Sequence, residues 1–148
     1  MQDIQSLVNG LMSSDDKQAY QCLKQLEIES NDSDIVYKFF ETFVKMLDNV
    51  NSYIRTRGII LIAANAKWDI DYKIDEIIDK YLKHIMDDKP ITARQCIKSL
   101  PLMVKYKPDL KEDVISALYK ANPQKYKESM QPLVVKDIQK SLDIISGL

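Results

Sequence analysis

The sequence predicts an all-α fold of stacked helical hairpins, and three observations predict it. Apolar residues recur at intervals of three and four along nearly the whole chain, the spacing of one helix face. Glycine is scarce, 3 in 148 residues. Tight hairpins and phosphate-cradling loops draw on glycine for positive φ angles, so barrels, sandwiches and Gly-rich nucleotide loops are disfavoured. The third observation is an internal repeat. Ala19-Tyr20-Gln21-Cys22-Leu23-Lys24-Gln25-Leu26 matches Ala93-Arg94-Gln95-Cys96-Ile97-Lys98-Ser99-Leu100 at five of eight positions with an offset of 74, two periods of about 37 residues.

Each element follows from its stripe and its stops. Ile4, Leu7, Val8 and Leu11 mark a terminal helix over 2–12, broken by Ser13-Ser14-Asp15-Asp16, whose oxygens offer N-caps. Ala19, Cys22, Leu23 and Leu26 mark the next, over about 15–29. After Asn31-Asp32-Ser33-Asp34 come Ile35, Phe39, Phe43, Met46 and Leu47 on one stripe. Ile54, Gly58, Leu61 and Ile62 follow, then Ile74, Ile77, Ile78, Tyr81 and Leu82. Pro90 sits near the first turn of a helix carrying Ala93, Cys96, Ile97 and Leu100. Lys107-Pro108-Asp109 opens the stripe of Leu110, Val114 and Leu118, which Asn122-Pro123 closes. Leu133, Val134, Ile138, Leu142 and Ile145 mark a terminal helix over 124–146. The expectation is eight helices of about 11–18 residues in one domain over 1–148, with repeats at about 15–50, 51–88 and 89–122.

The intermediate copy of the repeated octet is Ile54-Arg55-Thr56-Arg57-Gly58-Ile59-Ile60-Leu61. The preceding helices agree, because Ile35, Phe39, Phe43, Met46, Leu47 and Asp48 map by 39 onto Ile74, Ile78, Leu82, Ile85, Met86 and Asp87. A two-helix period of this length, with Asp48 before Ile54-Arg55, Gly58 and Leu61, and Asp87 before Ala93-Arg94, Ile97 and Leu100, resembles the HEAT repeat of the armadillo-type helical proteins. The resemblance covers about residues 15–120. It implies a right-handed α-α superhelix of about three hairpins plus terminal capping helices. It also implies that Asp48, Arg55, Asp87 and Arg94 bridge neighbouring repeats. The first copy departs from the pattern with Tyr20 in place of arginine.

Composition narrows the function classes. Apolar residues make up 45% and charged residues 29%, a globular balance that argues against disorder. The start, MQDIQSLVNG, carries no basic-plus-apolar leader, and the longest apolar run, residues 59–64, is far shorter than a membrane span of roughly 20 residues. A cytoplasmic, reduced protein without a membrane partner is expected, with Cys22 and Cys96 as unpaired core residues. The only histidine, His84, is placed on the polar side of its helix; with no CxxC or HExxH, no metal and no cofactor are expected. Asp69-Ile70-Asp71-Tyr72-Lys73-Ile74-Asp75 fails as an EF-hand loop, which needs glycine sixth and glutamate twelfth where this chain has Ile74 and Lys80. Asp71 is the expected cap of the following helix.

GxSxG, P-loop and GxGxxG motifs are absent, so no enzyme and no small-molecule substrate are expected. Binding is. Residues 1–48 carry a net charge of −5 and residues 89–148 carry +5, which points to a partner protein with an acidic surface. Lys38, Glu41, Lys45, Lys73, Lys80, Lys83, Lys111 and Glu112 are candidate exposed positions on the second helix of each pair. Arg57 occupies a repeat position that is otherwise apolar and joins the candidate surface. Lys105-Tyr106-Lys107, Tyr119 and Lys125-Tyr126-Lys127 interleave aromatics with lysine, a pattern that can hold single-stranded nucleic acid. That alternative resembles the HEAT-like DNA alkylation-repair glycosylases; of their groove tryptophans and aspartate, this chain carries Trp68-Asp69.

Overall fold

Short polar side chains start the helices at the breaks in the sequence. Asp3 accepts from Ser6 N at 2.7 Å, Asp15 from Lys17 N and Gln18 N, and Asn51 from Tyr53 N at 2.8 Å, each satisfying donors that a helix N-terminus leaves orphaned. The computed structural model describes residues 3–148; Gln2, where the first terminal helix is expected to begin, lies outside the described residues. Eight α-helices follow: α1 Ile4–Gly10, α2 Asp16–Asp32, α3 Phe40–Met46, α4 Ser52–Ala64, α5 Lys73–Leu82, α6 Pro90–Tyr106, α7 Lys111–Lys120 and α8 Gln131–Ser146. There is no strand among the described residues.

The fold is therefore all-α. Several helices are shorter than expected, because 3-10 turns take over at their ends. Val36–Phe39 precedes α3, Lys83–Met86 follows α5 and Pro108–Leu110 precedes α7. The apolar stripes continue through these turns, so periodicity alone does not reveal where the hydrogen bonding tightens. Among the described residues, no helix is long and apolar enough to cross a membrane.

The packing falls into two rows. In one, α2 packs on α4, α4 on α6 and α6 on α8. In the other, α1 packs on α2, α3 on α4, the turn after α5 on α6, and α7 on α8. The core runs between the rows, with Tyr81, Phe40, Phe43, Leu61, Ile62 and Ile97 fully buried. Gly58 sets the approach of α4 to α3. A Cβ there meets Met46 Cβ and Phe43 O at 2.9 Å, closer than packed atoms sit. Tyr81 Oη donates to Ile59 O at 3.0 Å, so this large buried ring brings its own satisfied hydroxyl.

Pro101 lies inside α6. Proline has no N–H, so it frees the carbonyl four residues earlier. That carbonyl, Ile97 O, accepts from Ser141 Oγ of α8 at 2.9 Å. A break in the α6 ladder is thereby filled from the neighbouring helix, and the α6–α8 junction is pinned.

Candidate functional site

The motif arginines are the first residues to locate. Arg55 forks onto Asp87, with Nε to Oδ2 at 3.0 Å and Nη2 to Oδ1 at 2.7 Å, while Nη1 donates to Asn49 O and Val50 O. These contacts differ from the grouping of Asp48 with Arg55 and Asp87 with Arg94 in the sequence. Arg55 reaches forward to Asp87, not to Asp48, and Arg94 reaches Asp137 of α8 at 2.6 Å, not Asp87. The reason lies in the register. Position 126, one period of 39 after Asp87, holds Tyr126, so Arg94 finds no carboxylate there. Likewise Tyr20 stands where the first arginine is missing, and Asp48 pairs instead with Lys80 at 2.6 Å on the surface.

Asp87 is the hub of this junction. Lys89 N donates to its Oδ1 and His84 Nδ1 lies 2.8 Å from its Oδ2. Burial pushes the carboxyl up, but the hydrogen bonds from His84, Arg55 and Lys89 N outweigh it and hold the group well below the usual carboxylate range. His84 thus sits inside, with its side chain 13% exposed, rather than on the polar side of its helix. The Asp87 carboxylate gives the ring a partner that the sequence pattern does not announce.

Three residues of the expected binding surface are likewise inside. Arg57 is 6% exposed; its Nη1 donates to Leu11 O at 2.9 Å and its Nη2 to Asp16 at 3.1 Å. It satisfies a carbonyl that the end of α1 leaves free. Lys107 is 4% exposed, with Nζ 3.1 Å from Asp69 and 2.6 Å from Asp75. Burial lowers the Lys107 ammonium, but Asp75 and Asp69 outweigh it and raise it above its ordinary value. Tyr126 is 7% exposed, donates to Asp87 O at 2.5 Å, and is pushed up to about 12 by burial and by Asp87 and Asp88. Each polar tip has a buried acceptor, so a side chain that reads as surface is drawn in.

Asp69, which the sequence reading weighs only as a calcium-loop or glycosylase-type residue, is buried. It accepts from Lys73 N at 2.9 Å and Ile74 N at 3.0 Å, and from Tyr37 Oη at 2.5 Å. It is the cap of α5, the role expected of Asp71. Tyr72, the one non-glycine residue with positive φ (58°) among the described residues, turns the chain so that Asp69 meets the helix start.

The remaining expected surface residues stay outside or at the rim. Lys73 lies over the Tyr37 ring at 5.1 Å. Lys83, Lys105, Lys127 and Tyr119 are exposed, and Tyr106 is 40% exposed. Lys125 donates to Met86 O and lies 3.8 Å from Asp88. The interleaved lysine–tyrosine track is therefore interrupted at Lys107 and Tyr126. Among the described residues, no group of three or more His, Cys, Asp or Glu is placed to hold a metal ion.

The exposed apolar residues are distributed unevenly. Of ten large apolar side chains exposed on α-helices, nine lie on one row: Tyr20 and Ile28 on α2, Tyr53 on α4, Ile91, Leu102 and Tyr106 on α6, and Leu133, Val135 and Ile144 on α8. The other row has Tyr119 alone. Tyr53 and Ile91 line the valley between α4 and α6, and Leu133 and Ile144 line the valley between α6 and α8. In the sequence these residues, Leu133 excepted, fall between the stripe positions of their helices, and nothing there joins them into one face. No protein-family model, no curated protein and no solved structure matches the chain; the geometry of this face stands on its own.

Proposed function

We propose that the protein is a non-catalytic interaction module, a HEAT-like right-handed superhelix in the cytoplasm that docks another protein. The concentration of exposed apolar side chains on α2, α4, α6 and α8 carries this reading. Exposed apolar surface costs free energy in water and marks contact surfaces when it gathers on one face. The docking face is thus the row opposite the one bearing Lys38, Glu41, Lys45, Lys80, Lys83, Lys111 and Glu112. The nucleic-acid alternative is less supported, because Lys107 and Tyr126 are taken up by buried partners.

The test is affinity capture from native lysate, with and without nuclease, by the wild type and by a Leu133→Ser/Ile144→Ser variant. Partners kept through nuclease and lost in the variant are the expected result. Material released by nuclease and indifferent to the variant would move the function to nucleic acid.

A further inference from the structure

We propose that the valley between α6 and α8 is the docking groove, and that it takes an acidic peptide segment with an aliphatic anchor. This rests on the protein-binding reading above and gives it a place and a partner chemistry.

The first observation is the contrast between two arginines at equivalent repeat positions. Arg55 uses Nε, Nη1 and Nη2 on two carbonyls and a carboxylate. Arg94 uses only Nε, on Asp137; among the described residues its two Nη groups have no hydrogen-bond partner. Its side chain is 23% exposed and lines the groove. A guanidinium held at Nε, with both terminal nitrogens free, is oriented to accept a second carboxylate.

The second observation is the company it keeps. Lys98 lies one turn along α6 from Arg94, and Lys136 and Lys140 lie one turn apart on α8; all line the same groove of about 510 Å³. Like charges four residues apart on a helix repel, and here two such pairs share one valley. No ion pair reaches any of the three lysines among the described residues, and Asp137 is the one carboxylate in the lining. An anionic occupant of the valley relieves this repulsion and complements its positive charge.

The third observation fixes the kind of anion. Pro101, Leu133 and Ile144 are the apolar part of the lining, so the valley offers an aliphatic side chain a place beside its charged rim. It presents no aromatic ring on which a base stacks. The Ser141–Ile97 and Arg94–Asp137 bonds tie the two walls of the groove together. A preformed groove binds without the added cost of ordering it.

The experiment selects binders from a phage-displayed library of random dodecapeptides on the full chain. A synthetic peptide of the selected sequence, or a single-stranded oligonucleotide, is then titrated by fluorescence anisotropy. The proteins are wild type, K98E/K136E/K140E and the control K38E/K45E/K83E, which makes the same charge change on the other row. All substituted lysines are exposed, and circular dichroism checks each fold. The expected peptides are rich in Asp and Glu around a Leu or Ile. Their affinity falls at least about tenfold in the groove variant and far less in the control. Peptides without acidic enrichment, or equally sensitive to both variants, would overturn the groove while leaving protein binding in place. Oligonucleotide binding without peptide binding, lost in the groove variant, would overturn both readings. No binding of either probe would overturn the groove.

Discussion

At the scale of single residues, the two repeat arginines are equivalent in sequence and unequal in structure. Arg55→Ala strips four hydrogen bonds and leaves the buried Asp87 with only His84 and Lys89 N as partners, a loss of about 3 kcal/mol. Arg94→Ala removes one bond and is expected to lose about 1–2 kcal/mol. Urea denaturation of both variants checks the order; equal losses would contradict it. Asp87 also dictates acid behaviour. Its folded pKa is depressed, so between the folded value and an unfolded value of about 3.9 the unfolded chain binds more protons. The stabilisation is present above about pH 4 and drains away as pH falls below it. Melting temperatures taken from neutral to acid pH are expected to fall less steeply in Asp87→Asn than in wild type. The sequence displayed Asp48 with Arg55 and Asp87 with Arg94 as motif members. It did not display which arginine meets which carboxylate, because that depends on one hairpin's placement against the next. Arg57, Lys107 and Tyr126 misled for a related reason: their buried acceptors, Leu11 O, Asp69 and Asp87 O, come from segments 38–46 residues away.

At the scale of elements, Pro101 and Ser141 behave as one device. Ser141→Ala leaves Ile97 O unsatisfied in a buried junction and is expected to lose about 1–3 kcal/mol. In a Pro101→Ala background the restored N–H of residue 101 supplies the α6 bond itself, so the same serine change then costs less. A double-mutant cycle in urea reads this as a coupling energy of about 1 kcal/mol; additivity would show that the two residues act independently. Pro101 in the middle of an apolar stripe was visible from sequence alone, but the serine that compensates it was not. The stripes located all eight helices, since burial of one face fixes their spacing. Their ends were less legible, because 3-10 turns carry the same stripe, and because capping of α5 depends on the Tyr72 backbone rather than on the nearest acidic residue.

At the scale of the whole molecule, the two thiols report on global opening. Cys22 is 4% and Cys96 0% exposed, both are free, and burial raises the Cys96 thiol further, with Asp87 adding to it. Burial shields both thiols from reagent, so neither is expected to label in the native protein at neutral pH, and both label in denaturant. Rapid native labelling would mean that the core opens locally. The repeat and scarce glycine made the helical stack legible from sequence. The face carrying Tyr53, Ile91 and Leu133 was not, since it emerges only when alternate helices align in one row. The forward reach of Arg55 has a last consequence, for how such a chain grows. Arg55 and Asp87 fall within one period, residues 51–88, so a tandem duplication of that stretch carries both halves of its own clasp. Residues 89–122 carry an arginine whose carboxylate lies beyond them, on α8. A copy of residues 51–88 would bring a complete arginine–carboxylate clasp, and a copy of residues 89–122 would bring half of one.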